Sequence, residues 1–287
     1  MTIDLNLDAI PWSKAARSVW AKTDSSTDTW LPLTQHLSDA SGVADALFLE
    51  QPQSIAAAIA DSFGGDIDEA RTFVAFMASL HDLGKASRGF AFKAALPPAN
   101  MGQLCDAMRN AGLPVPPNLA HPIPHGVAGQ AHLRDWLKRE VGGEPECASA
   151  IAGILGGHHG LNPSYQQVSD ARDELENDGP AWSKCRDEFV VNMATATGAD
   201  RYLKRWMTTP VSLPTQVLVE ALVIEADWIA SNERLFPYVL GGSTAVRVKR
   251  ALATLHLPPA WHPSEELTSC DDAFSRRFPV TRPTSLG

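Results

Sequence analysis

The feature that most constrains this chain is an apolar helical repeat that runs directly into a short polar stretch. The repeat has the i, i+3, i+4 and i+7 spacing of one buried helical face and consists of Phe73, Phe76, Met77 and Leu80. The residues that follow Leu80 read HDLGKA. A histidine and an aspartate that adjoin at the end of a buried helix place an imidazole nitrogen beside a carboxylate. Since a carboxylate has two oxygens, Asp82 can bind one metal ion or bridge two.

The two residues after Leu83 complete this motif. Gly84 suits the left-handed backbone position that ends many helices. A chain reversal at that position would turn the Lys85 side chain back towards the same pocket. We therefore expect His81, Asp82 and Lys85 to share one site.

Helical spacing recurs along most of the chain, and no alternating strand pattern of any length competes with it. The sequence therefore predicts an all-α fold, a bundle of helices. The predicted helices include 11–23, 33–49, 54–63, 103–110, 125–137, 147–155, 170–188, 186–206, a long helix from Pro214, and 245–255. We expect one helical domain over residues 1–257 with an insertion loop at about 94–124, where prolines cluster. Residues 258–287 are proline-rich and are expected to form a tail or linker.

Composition and motifs exclude several classes of protein. The net charge of −9 argues against a protein that coats duplex DNA with a basic surface. It leaves room for a nuclease whose pocket is made positive by metal ions. There is no G-x-x-x-x-G-K-[ST] loop for ATP, no apolar run long enough to span a membrane and no signal-peptide pattern. The four cysteines are far apart, which argues against a thiolate zinc site and predicts a reduced, cytoplasmic setting.

Other candidate metal ligands lie at or near predicted helix ends. His36 flanks the apolar stripe of the second helix and is either a core-edge histidine or a ligand. His125 lies in the first turn of its helix, and His121 is a nearby rival in the preceding loop. His158 and His159 stand between glycines, which allow close approach of backbone to a metal or phosphate. An exposed loop pair is the alternative for these two histidines.

The long helix from Pro214 carries one further candidate. Asp227 lies among apolar residues, so its carboxylate must be paired, hydrogen-bonded or metal-bound. Ser231 is one turn later and shares its face. We expect Trp228 to belong to the core rather than to stack on a nucleobase. We expect Asp178, in the acidic helix 170–188, and Arg247, in the last helix, to lie on solvated faces.

Together these candidates provide five imidazoles and two carboxylates. Such a set can hold two divalent ions with Asp82 between them. Imidazole-rich sites favour Mn, Fe, Co, Ni or Zn over Mg, which prefers oxygen ligands.

The ordered motifs resemble the HD-superfamily nuclease domain of the CRISPR-associated type I helicase-nuclease. The corresponding pieces are His36, LHDLGKA at 80–86, HGVAG at 125–129, GHHG at 157–160 and ADWIASN at 226–232. The one departure is Gly129, which stands where many relatives have serine.

This resemblance assigns roles to individual residues. It implies that one metal is held by His36, His81, Asp82 and Asp227. It implies that the second is held by Asp82, His125, His158 and His159. Lys85 would contact the scissile phosphate, and Ser231 would support the site beside Asp227.

The resemblance also implies a reaction and partners. The expected activity is metal-dependent hydrolysis of phosphodiester bonds in single-stranded DNA during CRISPR interference. A crRNA-guided surveillance complex would deliver the DNA, and a helicase domain would lie in the full-length protein or in a separate chain. The alternatives are a nucleotide phosphohydrolase of the same superfamily and a metal-free regulatory or binding domain.

Overall fold

Helices make up nearly all the regular structure in the computed structural model, which describes residues 7–24, 26–116, 123–238 and 243–257. The helices within these ranges are α1 (Lys14–Ser18), α2 (Leu33–Glu50), α3 (Gln53–Ala60), α4 (Ile67–Ala78), α5 (Arg88–Phe92), α6 (Gly102–Asn110), α7 (His125–Trp136), α8 (Pro145–Gly157), α9 (Tyr165–Asn177), α10 (Pro180–Thr197), α11 (Leu203–Trp206), α12 (Leu213–Ala230) and α13 (Thr244–Leu255). Strands β1 (Trp20–Asp24) and β2 (Thr29–Pro32) form one antiparallel hairpin. The predicted all-α fold is confirmed.

The core lies where α2, α4, α8 and α12 meet. Helix α12 packs against the other three, and α7 packs against α8, α9 and a 3-10 turn formed by Leu83–Lys85. The apolar repeat that ends at Leu80 is fully buried here. Helix α4 ends at Ala78, and the residues from Ser79 to Lys85 that follow it are buried as well, so they lie in the middle of the bundle rather than at its surface. None of the described helices is both long and apolar enough to cross a membrane.

The hairpin corrects the prediction of a helix over residues 11–23. Helix α1 is only five residues long, and Trp20 begins β1. The Asp24 carboxylate accepts hydrogen bonds from the Ser26 amide and hydroxyl, at 2.9 and 2.7 Å, which stabilises the connecting turn. The backbone of β1 forms its hydrogen bonds with β2 rather than within a helix. The spacing of apolar residues in 11–23 gives no sign of such a partner. The register shifts between Trp20 and Lys22, a bulge that takes Ala21 out of the regular pairing.

Two charged residues predicted to be solvated are buried, which corrects those predictions. The acidic stretch forms two helices, and Asp178 lies between them, buried against the Arg186 guanidinium at 2.8 Å. Arg247 on α13 is buried against Asp39 on α2, also at 2.8 Å. Each charge is buried because an opposite charge from a different element meets it.

Helix α12 is central on one face only. Its other face leaves three large apolar side chains exposed: Leu213 (71%), Val217 (59%) and Trp228 (73%). The prediction of Trp228 as a core residue is therefore wrong. The helix is apolar on most sides, but the bundle covers only one of them.

Candidate metal centre

The structure brings every predicted ligand that it describes into one place. One group consists of His36, His81, Asp82 and Asp227, and a second consists of His125, His158 and His159. Within each group the ligand atoms all lie within 4.8 Å of one another. The rival His121 lies outside the described residues.

Asp82 stands between the two groups, with one carboxylate oxygen towards each. Its Oδ2 atom lies 3.0 Å from His36 Nε2 and 3.4 Å from His81 Nε2. Its Oδ1 atom lies 3.0 Å from His125 Nε2 and 3.8 Å from His158 Nε2. This is the arrangement that a carboxylate shared by two cations requires.

Asp227 completes the first group from α12. Its Oδ1 atom lies 3.3 Å from the Nε2 atoms of both His36 and His81. The same oxygen accepts a hydrogen bond of 2.7 Å from the Ser231 hydroxyl, one helical turn later. This bond holds the carboxylate in one rotamer. Ser231 shares a face of α12 with Asp227, as its spacing in the sequence predicted.

Two of the histidines are oriented by the ends of the helices that precede them. The Nδ1 atom of His81 lies 2.8 Å from the Ala78 carbonyl oxygen, and that of His158 lies 2.5 Å from the Leu155 carbonyl oxygen. A carbonyl oxygen only accepts hydrogen bonds, so Nδ1 must carry the proton in both rings. The Nε2 atom of each ring is then directed at the site, as in metal-bound histidines.

The unpaired atoms at the centre test whether a metal ion fits. Three buried imidazole nitrogens there form no hydrogen bond of good geometry with the described residues: His36 Nε2, His81 Nε2 and His158 Nε2. Buried polar atoms rarely remain unpaired in folded proteins. Here they converge on a shared space, and imidazole and carboxylate are common ligands of divalent transition metals. The donor set therefore fits metal binding.

Electrostatics in the first group favour a positive charge. Burial alone would lower the pKa of His81, but the Asp82 and Asp227 carboxylates outweigh it and raise that pKa to about 10. Burial would raise the pKa of Asp227, but His81 and His36 hold it well below its usual range. The attraction that holds a proton on His81 is available to a divalent cation as well.

Two histidines of the second group, His158 and His159, favour the neutral imidazole form beside the same carboxylate. Burial lowers the pKa of His158 to about 3, and burial also lowers the pKa of His159. The pKa of the Asp82 carboxyl is well below its ordinary value, because Lys85, His81 and His125 outweigh its burial. Neutral imidazoles next to an ionised carboxylate provide the ligand forms that a metal needs.

Lys85 reaches the centre from the Leu83–Lys85 turn. Its ammonium nitrogen lies 2.5 Å from Asp82 Oδ2 and donates to the Ala21 carbonyl oxygen at 3.2 Å. That acceptor belongs to the bulge in β1. Sequence reasoning missed this contact because a main-chain oxygen leaves no side-chain signal.

Gly84 is required for a different reason from the one predicted. It lies within the 3-10 turn and is not one of the glycines with a left-handed backbone. A Cβ atom at this position would lie 1.9 Å from the His125 carbonyl oxygen and 2.6 Å from the Gly129 amide nitrogen. The missing side chain thus allows the turn to contact the first turn of α7, which brings Asp82 close to His125.

The comparisons with known proteins agree with this geometry. The sequence matches the family model described as "Cas3, HD domain" over residues 20–236. The chain belongs to the Cas3 HD-domain family. The CRISPR-associated endonuclease/helicase Cas3 of Thermus thermophilus is 34% identical over 227 residues, which cover 78% of this chain and 23% of that protein. This chain spans about a quarter of the length of the curated Cas3 relatives it matches.

Solved structures of this family superpose on the chain. The Thermus thermophilus Cas3 HD domain crystallised in the presence of Ni2+ has a TM-score of 0.61 and 27% identity, covering 86% of this chain and 93% of that domain. A chain of a CRISPR RNA-guided surveillance complex in a pre-nicking state has a TM-score of 0.57 and 26% identity, covering 84% of this chain and 28% of that chain. The HD-superfamily bundle predicted from the motifs is confirmed.

Proposed function

We propose that this chain is a metal-dependent nuclease that hydrolyses phosphodiester bonds of single-stranded DNA in CRISPR interference. The observation that carries this proposal is the position of Asp82, with one oxygen towards each ligand group and the Lys85 ammonium against it. Two ligand groups that share a carboxylate are typical of sites that hydrolyse phosphate esters. The names of the relatives, which include endonuclease, support the same reaction.

We propose that the site holds two divalent ions, with Mn, Fe, Co, Ni or Zn favoured over Mg. The first would be held by His36, His81, Asp82 and Asp227, and the second by Asp82, His125, His158 and His159. Such ions, when bound, lower the pKa of the attacking water and neutralise charge on the phosphate. The related HD domain of Thermus thermophilus was crystallised in the presence of Ni2+, which agrees with an imidazole-rich site.

The chain's own residues bind and orient the substrate. The Lys85 ammonium places a fixed positive charge where negative charge develops on the phosphate. Ser231 holds the Asp227 carboxylate in a single orientation through its hydrogen bond. Two divalent ions would outweigh the two carboxylates, so the loaded site would be locally positive inside a protein with a net charge of −9.

Access to the centre favours a single strand. His36 and His81 are fully buried, whereas His159 is exposed and the His125 side chain is 18% exposed. The centre is therefore open to solvent at the second group and at Asp227, whose side chain is 12% exposed. A phosphate of a single strand can reach this recess, while the width of a duplex keeps its backbone away from the buried atoms.

The domain organisation and partners belong to the same proposal. Residues 1–257 would form the nuclease domain, and 258–287, which lie outside the described residues, would lead as a linker towards a helicase. A crRNA-guided surveillance complex would deliver the DNA in the cytoplasm. Two observations support these partners: the helicase named in the curated relatives, and the superposition on a chain of a surveillance complex.

The test combines metal content with cleavage on one preparation. The chain is loaded with Mn, Co, Ni, Zn or Mg in turn and measured by elemental analysis. Each form is then assayed on single-stranded DNA, duplex DNA and nucleoside triphosphates. We expect about two ions per chain and cleavage of single-stranded DNA only with transition metals. Hydrolysis of triphosphates without DNA cleavage would contradict the proposal and favour a nucleotide phosphohydrolase, and absence of metal would favour a regulatory domain.

A further inference from the structure

Arg186 on α10 is a buried arginine that donates four hydrogen bonds to three parts of the chain. It is 1% exposed, and its Nη1 atom donates to the Ala86 carbonyl oxygen at 3.0 Å and to Asp178 Oδ2 at 2.8 Å. Its Nη2 atom donates to the Leu175 carbonyl oxygen at 3.3 Å, and its Nε atom donates to His132 Nδ1 at 3.3 Å. None of these residues is a proposed metal ligand.

Two of these contacts lead to the segment that carries Asp82 and Lys85. Ala86 directly follows Lys85, so the bond to its carbonyl oxygen holds the end of the Leu83–Lys85 turn. Asp178, which binds Arg186 through one oxygen, accepts a hydrogen bond from Arg88 Nε through the other, at 3.2 Å. One ion pair thus holds the segment at two points just after Lys85.

A third contact of Arg186 leads to α7, the helix that supplies the proposed ligand His125. His132 lies on α7, two turns after the proposed ligand His125, and accepts the Arg186 Nε–H. The same helix contacts Gly84 through its first turn. Arg186 therefore connects the segment that carries Lys85 to the helix that supplies His125.

Stability alone does not account for this arrangement. A buried ion pair contributes little net stability, because the cost of desolvation offsets the attraction, and apolar residues of similar size often serve equally well. The planar guanidinium does what an apolar residue cannot, since it bonds several acceptors in fixed directions. Its acceptors here include the main chain beside Lys85.

We propose that Arg186 and Asp178 form a positioning pair that sets the Lys85 ammonium against Asp82. This inference rests on the proposed nuclease function for its effect on turnover. Its structural part, the burial of the Lys85 ammonium, can be measured whether or not DNA is cleaved.

The first experiment measures the position of Lys85 directly. Acetic anhydride labelling with mass spectrometry compares the wild-type chain with Arg186→Met, Asp178→Asn and the control Arg71→Met. Arg71 is a similarly buried arginine in the first half of α4, away from the site. It donates two hydrogen bonds, of 2.6 and 2.7 Å, to the Asp45 carboxylate on α2. We expect Lys85 to become several-fold more reactive in Arg186→Met and Asp178→Asn, and to remain protected in Arg71→Met. Equal protection of Lys85 in all four proteins, or equal exposure in the three variants, would overturn the proposal.

The second experiment measures the consequence for turnover. Arg186→Met should keep the metal content and the KM for single-stranded DNA while kcat falls by about 10²-fold, as for a reacting group that is misplaced by roughly 1 Å. When Lys85 is already replaced by methionine, Arg186→Met should reduce kcat no further, because both substitutions remove the same interaction. A full additional loss in that background would show that Arg186 acts by another route and would overturn the proposal. A wild-type chain that cleaves no DNA would contradict the nuclease function and leave the labelling result to decide the positioning role.

Discussion

At the residue scale, Asp82 is the side chain on which both ligand groups depend. Its two oxygens lie 3.0 Å from histidine nitrogens on opposite sides, one from each group. A shared carboxylate neutralises part of the repulsion between two cations. Loss of this side chain should therefore affect both proposed ions rather than one.

We predict that Asp82→Ala abolishes both metal binding and DNA cleavage. Elemental analysis after loading with Mn2+ and a cleavage assay check the two effects. Asp45→Ala is the control, because Asp45 binds Arg71 rather than the site, and it should retain both properties. Full activity of Asp82→Ala would contradict the bridging role.

We predict that Lys85→Met keeps the metals and lowers kcat by about 10²–10³-fold, the usual cost of one charge-stabilising donor. Lys93→Met is a matched control. Both ammonium groups lie 5.3 Å from the centre of the Phe90 ring, but only Lys85 contacts Asp82. If metal content fell together with kcat in Lys85→Met, the lysine would have a structural role instead.

At the element scale, the close contact between the Leu83–Lys85 turn and α7 depends on Gly84. We predict that Gly84→Ala separates the turn from His125, costs about 1–3 kcal/mol as overpacking, and weakens metal binding. Gly153→Ala on α8 is the control, since a Cβ there meets no atom within 4 Å. Denaturant unfolding and metal titration measure both effects. An unchanged metal affinity in Gly84→Ala would count against this interpretation of the contact.

The exposed face of α12 gives a prediction for the substrate. Trp228 directly follows the proposed ligand Asp227 and is 73% exposed, so its ring is available to stack on a base of a single strand. Stacking on one base contributes about 1–3 kcal/mol, and we therefore expect Trp228→Ala to raise the KM for single-stranded DNA by roughly tenfold or more. Leu213→Ala, at the other end of the same exposed face, should leave KM unchanged. A KM equal to that of the wild type in Trp228→Ala would contradict the stacking role.

The sequence could predict most helices, and it could name the candidate ligands that the structure brings together, because those signals are local. Apolar spacing identified α2, α7 and α8, and the chemistry of imidazole and carboxylate identified the candidates that the structure brings together. The hairpin could not be predicted, because the strand at Trp20 is stabilised by a partner in the chain rather than by its own pattern. The burial of Asp178 was missed for the same reason, since its partner Arg186 lies on a different helix.

At the scale of the whole molecule, α13 is joined to the core by a buried ion pair. Arg247 Nη2 lies 2.8 Å from Asp39 Oδ2, and Arg247 is 3% exposed while Asp39 is fully buried. A helix near the end of the described chain is thus fixed to α2, the helix that supplies His36. The pair connects parts of the chain that are 208 residues apart.

We predict that Arg247→Met lowers the free energy of unfolding by about 3–5 kcal/mol, because it leaves the Asp39 carboxylate buried without this partner. Arg139→Met is the control, since the Arg139 side chain is half-exposed and should cost about 1 kcal/mol or less. Urea unfolding followed by circular dichroism compares the two variants. A loss in Arg247→Met no larger than in Arg139→Met would contradict the prediction.

The bulge at Ala21 has a consequence for how this site can change in evolution. The acceptor that Lys85 binds there is a carbonyl oxygen, and every amino acid carries one. Position 21 is therefore free to accept any residue that fits its buried space and keeps the bulge. An alanine scan would pass over this position, because the residue there is already alanine, although its backbone holds the lysine in place.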